Sequence, residues 1–332
     1  MSDLELMSFT AIFAASLAAW LRVGALLLQG RHPLERGAPP HVEPVPTEPI
    51  PVEPVSVERG EPSDCPKCGS RVVADAARCP SCGEPLAVPF IERPLRWNPV
   101  ALGLAFAWIG LMAMLRLIDR QQVEPGIDDV RVMSIFNGLL IVVLLAAMNG
   151  LGRHLRRRTF FRPGGDPPPA LASYGIHLRD WPRNMRAGGL GFLASLLPVY
   201  AIQFALAQTG LRTEDDANPI LKLLAENSVP EVVFWIGLSA VVSAPLAEEL
   251  IYRVILQGWL AGRMAPAAAI VASSALFSMA HGWPNLLPLF PLALILGYVF
   301  HRTRSFVAVV TLHALFNGLS FVFSLLSSSP PP

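Results

Sequence analysis

Two adjacent carboxylates, Glu248 and Glu249, stand in the apolar stretch AVVSAPLAEELIYRVILQGWL, and Arg253 follows four residues after the second. Charged groups in such a run cost about 2.5–3.5 kcal/mol each when the helix enters lipid, so they need a partner or a task. Neighbouring helical residues point about 100° apart. Glu249 and Arg253, at i and i+4, therefore share a face and can pair, whereas Glu248 projects elsewhere. One carboxylate is held and the other is left for chemistry. Two later apolar stretches add further polar groups. One ends in Phe277-Ser-Met-Ala-His281, and the other carries His313-Ala-Leu-Phe-Asn317, whose imidazole and amide lie at i, i+4. A lone histidine within a membrane helix is more often a packing hydrogen bond than a catalyst. Three successive helices that each deliver such groups point to one shared polar site.

A second constellation lies far from the first. All four cysteines fall in Cys65-Pro-Lys-Cys68-Gly69 and Cys79-Pro-Ser-Cys82-Gly83. Each knuckle aims two thiolates at one metal, and together they make the closed tetrahedral site that Zn²⁺ takes in structural roles. Glycine after each pair lets the backbone turn tightly around the sulfurs. Free thiols or two disulfides are the other reading, which the repeated proline and glycine disfavour. A closed four-cysteine site has no open position for water, so this zinc is expected to be structural.

The elements that must carry these groups follow from composition. Of the 332 residues, 52% are hydrophobic and only 15% charged, well below the charge of about 25% typical of soluble domains. The apolar residues fall in blocks of about twenty, long enough to cross about 30 Å of hydrocarbon as helices. The expected fold is an all-α polytopic membrane protein of about eight transmembrane helices, with a small zinc ribbon inserted after the first. Residues 1–32 form an N-terminal membrane anchor, acidic before its apolar block and basic after it, unlike a cleaved signal. Arg22 inside that block is expected to snorkel to the interface. Residues 33–62, including VEPVPTEPIPVEPVSVE, form a proline-rich linker of polyproline II character. The ribbon occupies 63–87 and the helical membrane domain 96–328. The spacing predicts spans at 98–118, 132–152, 188–208, 231–251, 266–282, 285–300 and 306–326.

Charge sets the expected topology. Eight arginines lie between Arg153 and Arg186, and the next loop carries Glu214, Asp215, Asp216 and Glu226. Arginine-rich loops stay in the cytoplasm. Alternating outward from that loop puts the N-terminus outside and the ribbon inside, where its thiols stay reduced. The basic loop is thereby explained by topology and contact with anionic lipid, so no nucleic-acid partner is expected. With these spans, Glu248 sits towards the cytoplasmic half of its helix and His281 at the outer end of the next. The two depths conflict. A helix that begins anew after Pro245, which lacks an amide donor, would resolve the conflict.

Glu248-Glu249-x-x-x-Arg253, Phe277-x-x-x-His281 and His313-x-x-x-Asn317, in that order on consecutive helices, resemble the three motifs of the CPBP family. These are the CAAX-processing and bacteriocin-processing intramembrane proteases, also called Abi or Rce1-like. The resemblance covers about residues 190–325. It implies an intramembrane endopeptidase of a bacterial inner (cytoplasmic) membrane, acting on a membrane-associated or lipidated protein or peptide. By motif position, Glu248 would be the general base that deprotonates a water, and His281 would hold or activate that water. His313 and Asn317 would stabilise the oxyanion or complete the water site, with Glu249 and Arg253 supporting the geometry. Glu248, His281 and His313 would also make a three-ligand Zn²⁺ site with an open position, the basis on which the family is often called metalloprotease. A glutamate-activated water without metal is the other view, and the residue pattern leaves both open. No HExxH helix is present. An inactive scaffold or immunity-type protein would use the same cluster structurally. A transporter would show an inverted repeat, and none is visible.

Overall fold

The computed structural model describes residues 3–28, 63–64, 70–72, 81, 99–118, 126–151, 171–176, 178, 180–213, 218–227 and 229–327. The chain forms two units, Met1–Gly37 with Arg96–Pro332, and Ala38–Leu95. In the second, β1 (Ser63–Asp64) pairs antiparallel with β2 (Arg71–Val72), Ser63 opposite Val72 and Asp64 opposite Arg71. This pair brackets the first cysteine knuckle in the sequence. Cys65, Cys68, Cys79 and Cys82, and the proline-rich linker, lie outside the described residues.

The first unit is helical. Its helices are α1 (Asp3–Leu28), α2 (Pro99–Ile118), α3 (Ile127–Ala146, continued by a wide turn over Ala147–Leu151), α4 (Trp181–Gln208) and α5 (Pro219–Glu226). They are followed by α6 (Pro230–Ala261), α7 (Pro266–Ala280), α8 (Leu286–Thr303) and α9 (Phe306–Ser327). Proline stands in the first turn of α4, α5, α6 and α7, where its missing N–H has no intrahelical partner to lose. All eight expected apolar segments form helices. Five are long and apolar enough to cross a membrane: Ile127–Asn149, Trp181–Gln208, Pro230–Ala261, Leu286–Thr303 and Phe306–Leu326. The apolar parts of α1, α2 and α7 are shorter, Ala14–Leu26, Pro99–Met114 and Pro266–Ala280.

Three boundaries differ from expectation, the first being the start of α3 at Ile127, five residues before the expected 132. α4 starts at Trp181, so Arg183 and Arg186 belong to its exposed first turns rather than to a loop. α6 runs to Ala261, ten residues past the expected end at 251. It also runs straight through Pro245, where a fresh start was expected. The turn before the proline widens instead: Leu238–Ser243 is π-helical, and the Ala244 N–H reaches the Ser239 carbonyl five residues back. A second wide segment, Leu250–Gln257, has all eight side chains buried.

Close helix contact places α9. A Cβ on Gly188 would lie 2.4 Å from the Ala308 carbonyl oxygen, and one on Gly191 would lie 2.5 Å from Leu312 Cδ1. Only hydrogen at these two positions lets α4 and α9 approach so closely, the use membrane helices make of small residues. The same α4 contains Pro198, which leaves the carbonyl of Ala194 without its helical donor. Trp20 of α1 donates its indole N–H to that oxygen at 2.9 Å. Ser16, one turn earlier and buried, accepts from the Leu197 N–H at 2.9 Å and donates to the Leu193 carbonyl at 2.6 Å. The N-terminal helix is therefore stitched into the opening that Pro198 makes.

Candidate active site

The site grows from α6. Glu249 and Arg253 are fully buried and paired, Arg253 Nε to Glu249 Oε2 at 3.2 Å. The other carboxylate oxygen, Oε1, accepts from His313 Nδ1 of α9 at 2.8 Å. Both oxygens of Glu249 are thus engaged. From Arg253 the polar line continues: Nη1 to Ser273 Oγ of α7 at 3.5 Å, Ser273 Oγ to Gln257 Oε1 at 3.3 Å, and Gln257 Nε2 to the Gly297 carbonyl of α8 at 2.8 Å. One connected run of polar groups links α6, α7, α8 and α9. Within this run Arg253 Nη2 is buried and has no hydrogen-bond partner among the described residues.

Glu248 has the opposite environment. Its side chain is 24% exposed, and Oε2 stands 4.0 Å from His281 Nε2 and 3.8 Å from His313 Nε2. These gaps exceed the about 2.7–3.2 Å of a direct hydrogen bond. They suit one water bonded to all three groups. The partners on the far side of each ring fix the tautomers. His281 Nδ1 lies 2.8 Å from the Phe277 carbonyl, which can only accept, so Nδ1 carries the hydrogen and Nε2 presents its lone pair. The Glu249 carboxylate fixes His313 in the same way. The Nε2 atoms of two imidazoles and a carboxylate converge on one point.

Phe277 supports this arrangement from three sides. Its ring packs 4.6 Å from the His281 ring, 5.8 Å from that of His313 and 5.3 Å from that of Tyr252. The Arg253 guanidinium lies over it at 5.1 Å, a cation–π contact. Phe277, Ser273 and Gln257 were not among the expected site residues, yet their spacing carried a signal. Glu249, Arg253 and Gln257 repeat every four residues on α6, and Ser273, Phe277 and His281 do so on α7. Each set makes one helical face.

The conflict of depths disappears once α6 has its true length. Glu248 lies about thirteen residues before the end of α6 and His281 about fifteen after the start of α7, so at about 1.5 Å per residue both stand about 20 Å from the turn joining the two helices. Five of the six expected residues meet around this point. Asn317 is engaged elsewhere: its Nδ2 donates to the Ala240 carbonyl of α6 at 2.8 Å.

Two imidazole nitrogens and a carboxylate oxygen are donor types that Zn²⁺ takes, but bonds of 2.0–2.1 Å require donors about 3.3 Å apart in a tetrahedron. Glu248 Oε2 is 3.8 and 4.0 Å from the two nitrogens. Among the described residues no group of three or more His, Cys, Asp or Glu is placed to hold a metal ion.

No curated protein matches the chain, and neither does any solved structure. Residues 230–319 match the family model described as type II CAAX prenyl endopeptidase Rce1-like. That stretch runs from the start of α6 into α9 and holds Glu248, Glu249, Arg253, His281, His313 and Asn317, so the match supports a CAAX-type peptidase embedded in the membrane.

Proposed function

We propose that the chain is an intramembrane endopeptidase that hydrolyses a peptide bond of a membrane-associated or lipidated protein, using a water activated by Glu248. The carrying observation is the contrast between the two carboxylates. Glu249 is bound at both oxygens, while Glu248 has no direct hydrogen bond among the described residues and faces the Nε2 atoms of two imidazoles within 4.0 Å. A water at that point gives one proton to Glu248 as its oxygen attacks the scissile carbonyl, and its second hydrogen bonds an imidazole. Three acceptors surround a water with two hydrogens, so one imidazole must supply a hydrogen of its own. His313 suits that part, because the Glu249 carboxylate balances the charge. Its Nε2–H then faces the developing oxyanion, where one such donor is worth about 2.7–4 kcal/mol. Glu248 returns its proton to the leaving amine, and the peptide is cut.

The four cysteines are proposed to hold one structural zinc in a cytoplasmic ribbon that recruits or selects the substrate. An inactive scaffold is the second reading, favoured by the polar run from Glu249 to Gly297, which ties four helices together whether or not chemistry follows. One experiment separates the two. Purified protein in lipid is given a farnesylated CAAX peptide, and wild type is compared with Glu248→Gln and His281→Ala. Loss of cleavage at an unchanged unfolding temperature supports the peptidase. Equal cleavage by Glu248→Gln excludes this mechanism.

A further inference from the structure

The amide of Asn317 is aimed at a specific vacancy in the backbone of α6. At the end of the π-helical turn Leu238–Ser243 the Ala244 N–H reaches five residues back, to Ser239. The next donor in that register would be residue 245, and its acceptor would be Ala240. Residue 245 is proline and has no N–H. Pro245 thus denies the Ala240 oxygen the backbone donor of that register, and Asn317 Nδ2 meets this oxygen at 2.8 Å. Glu248 and Glu249 follow three and four residues after Pro245, in the six-residue α-helical segment Ala244–Glu249 that the wide turn introduces. The rotation of that segment decides which carboxylate faces Arg253 and His313 and which faces the water.

We infer that Asn317 is a positioning residue: it holds the wide turn before Pro245 open by bonding the Ala240 carbonyl, and so fixes the rotation at which Glu248 meets His281 and His313. The same helix α9 carries His313 one turn away, so a single rigid element sets both the imidazole and the carboxylate opposite it. An amide fits this place because it donates without bringing a charge into an apolar bundle. The catalytic side of this inference rests on the peptidase reading above, whereas the backbone side does not.

A double-mutant cycle tests it. Asn317→Ala, Pro245→Ala and the double variant are compared for kcat on a CAAX peptide, for unfolding temperature, and for amide hydrogen exchange over residues 238–249. Asn317→Ala should lower kcat by about tenfold or more with little change in KM, and should speed exchange in that segment. In the Pro245→Ala background, which restores the missing N–H, the same substitution should lower kcat by less than about threefold and leave exchange unchanged. Equal losses of kcat in both backgrounds, with exchange and unfolding unaltered, would make Asn317 an oxyanion donor and overturn the inference. If Asn317→Ala does not fold, Asn317→Ser keeps a shorter donor and carries the same comparison. Should wild type cleave nothing, the peptidase reading fails, and the exchange data still decide the role of Asn317.

Discussion

Pro198 in α4 and Pro245 in α6 remove the same thing, one backbone donor inside a long membrane helix, yet the protein repairs the two losses differently. In α4 the helix keeps its ordinary pitch, the bereft carbonyl is four residues back at Ala194, and Trp20 of α1 fills it. In α6 the preceding turn widens, the bereft carbonyl is five residues back at Ala240, and Asn317 of α9 fills it. The first repair recruits the N-terminal helix, outside the stretch that matches a peptidase family. The second lies wholly within residues 230–319 and immediately precedes the two glutamates. The same chemical need thus serves the scaffold in one place and the orientation of the site in the other.

The largest expected effect provides the reference for that comparison. Glu248→Gln removes the base and no direct bond, so cleavage should fall by about 10²–10⁴-fold while thermal unfolding in detergent stays where it is. Arg253→Met tests the scaffold of the site. It leaves Glu249 charged and buried, and should cost about 3–5 kcal/mol in unfolding free energy, which pairing it with Glu249→Gln should partly return. Trp20→Phe sharpens the contrast between the prolines: unfolding should lose about 0.5–1.5 kcal/mol, with kcat unaltered. A large fall in kcat there would end the division between scaffold and site. The smallest effect is expected from Trp20→Phe placed on Pro198→Ala, where the restored N–H should make the indole dispensable and the added loss of stability close to zero.

Much of the site was legible in the sequence because its chemistry is expensive. Charged and polar residues in apolar runs stand out, and i, i+4 spacing separates Glu249 with Arg253 from Glu248 without any coordinates. The helix ends were less legible. Beyond Arg253 the run VILQGWLA mixes apolar residues with a glutamine and a glycine, so composition signals an end that packing overrides. Gln257 is buried and bonded to the Gly297 carbonyl. That misplaced end created the apparent conflict of depth between Glu248 and His281. Pro245 misled for a related reason. Its lost hydrogen bond predicts a break when the helix is considered alone, and the donor that repairs it, Asn317, comes from 72 positions further along the chain. Phe277 stood in the second motif, but its part as an aromatic hub was not visible, since its contacts with Tyr252, Arg253 and His313 depend on three helices meeting.

The stitching of α1 into α4 changes what kind of object the intervening segment is. Residues 38–95 are an insertion, joined at each end to helices of the membrane unit. The hydrogen bonds of Ser16 and Trp20 to the α4 backbone therefore make the helix that precedes the insertion a fixed part of the same unit as the helix that follows it.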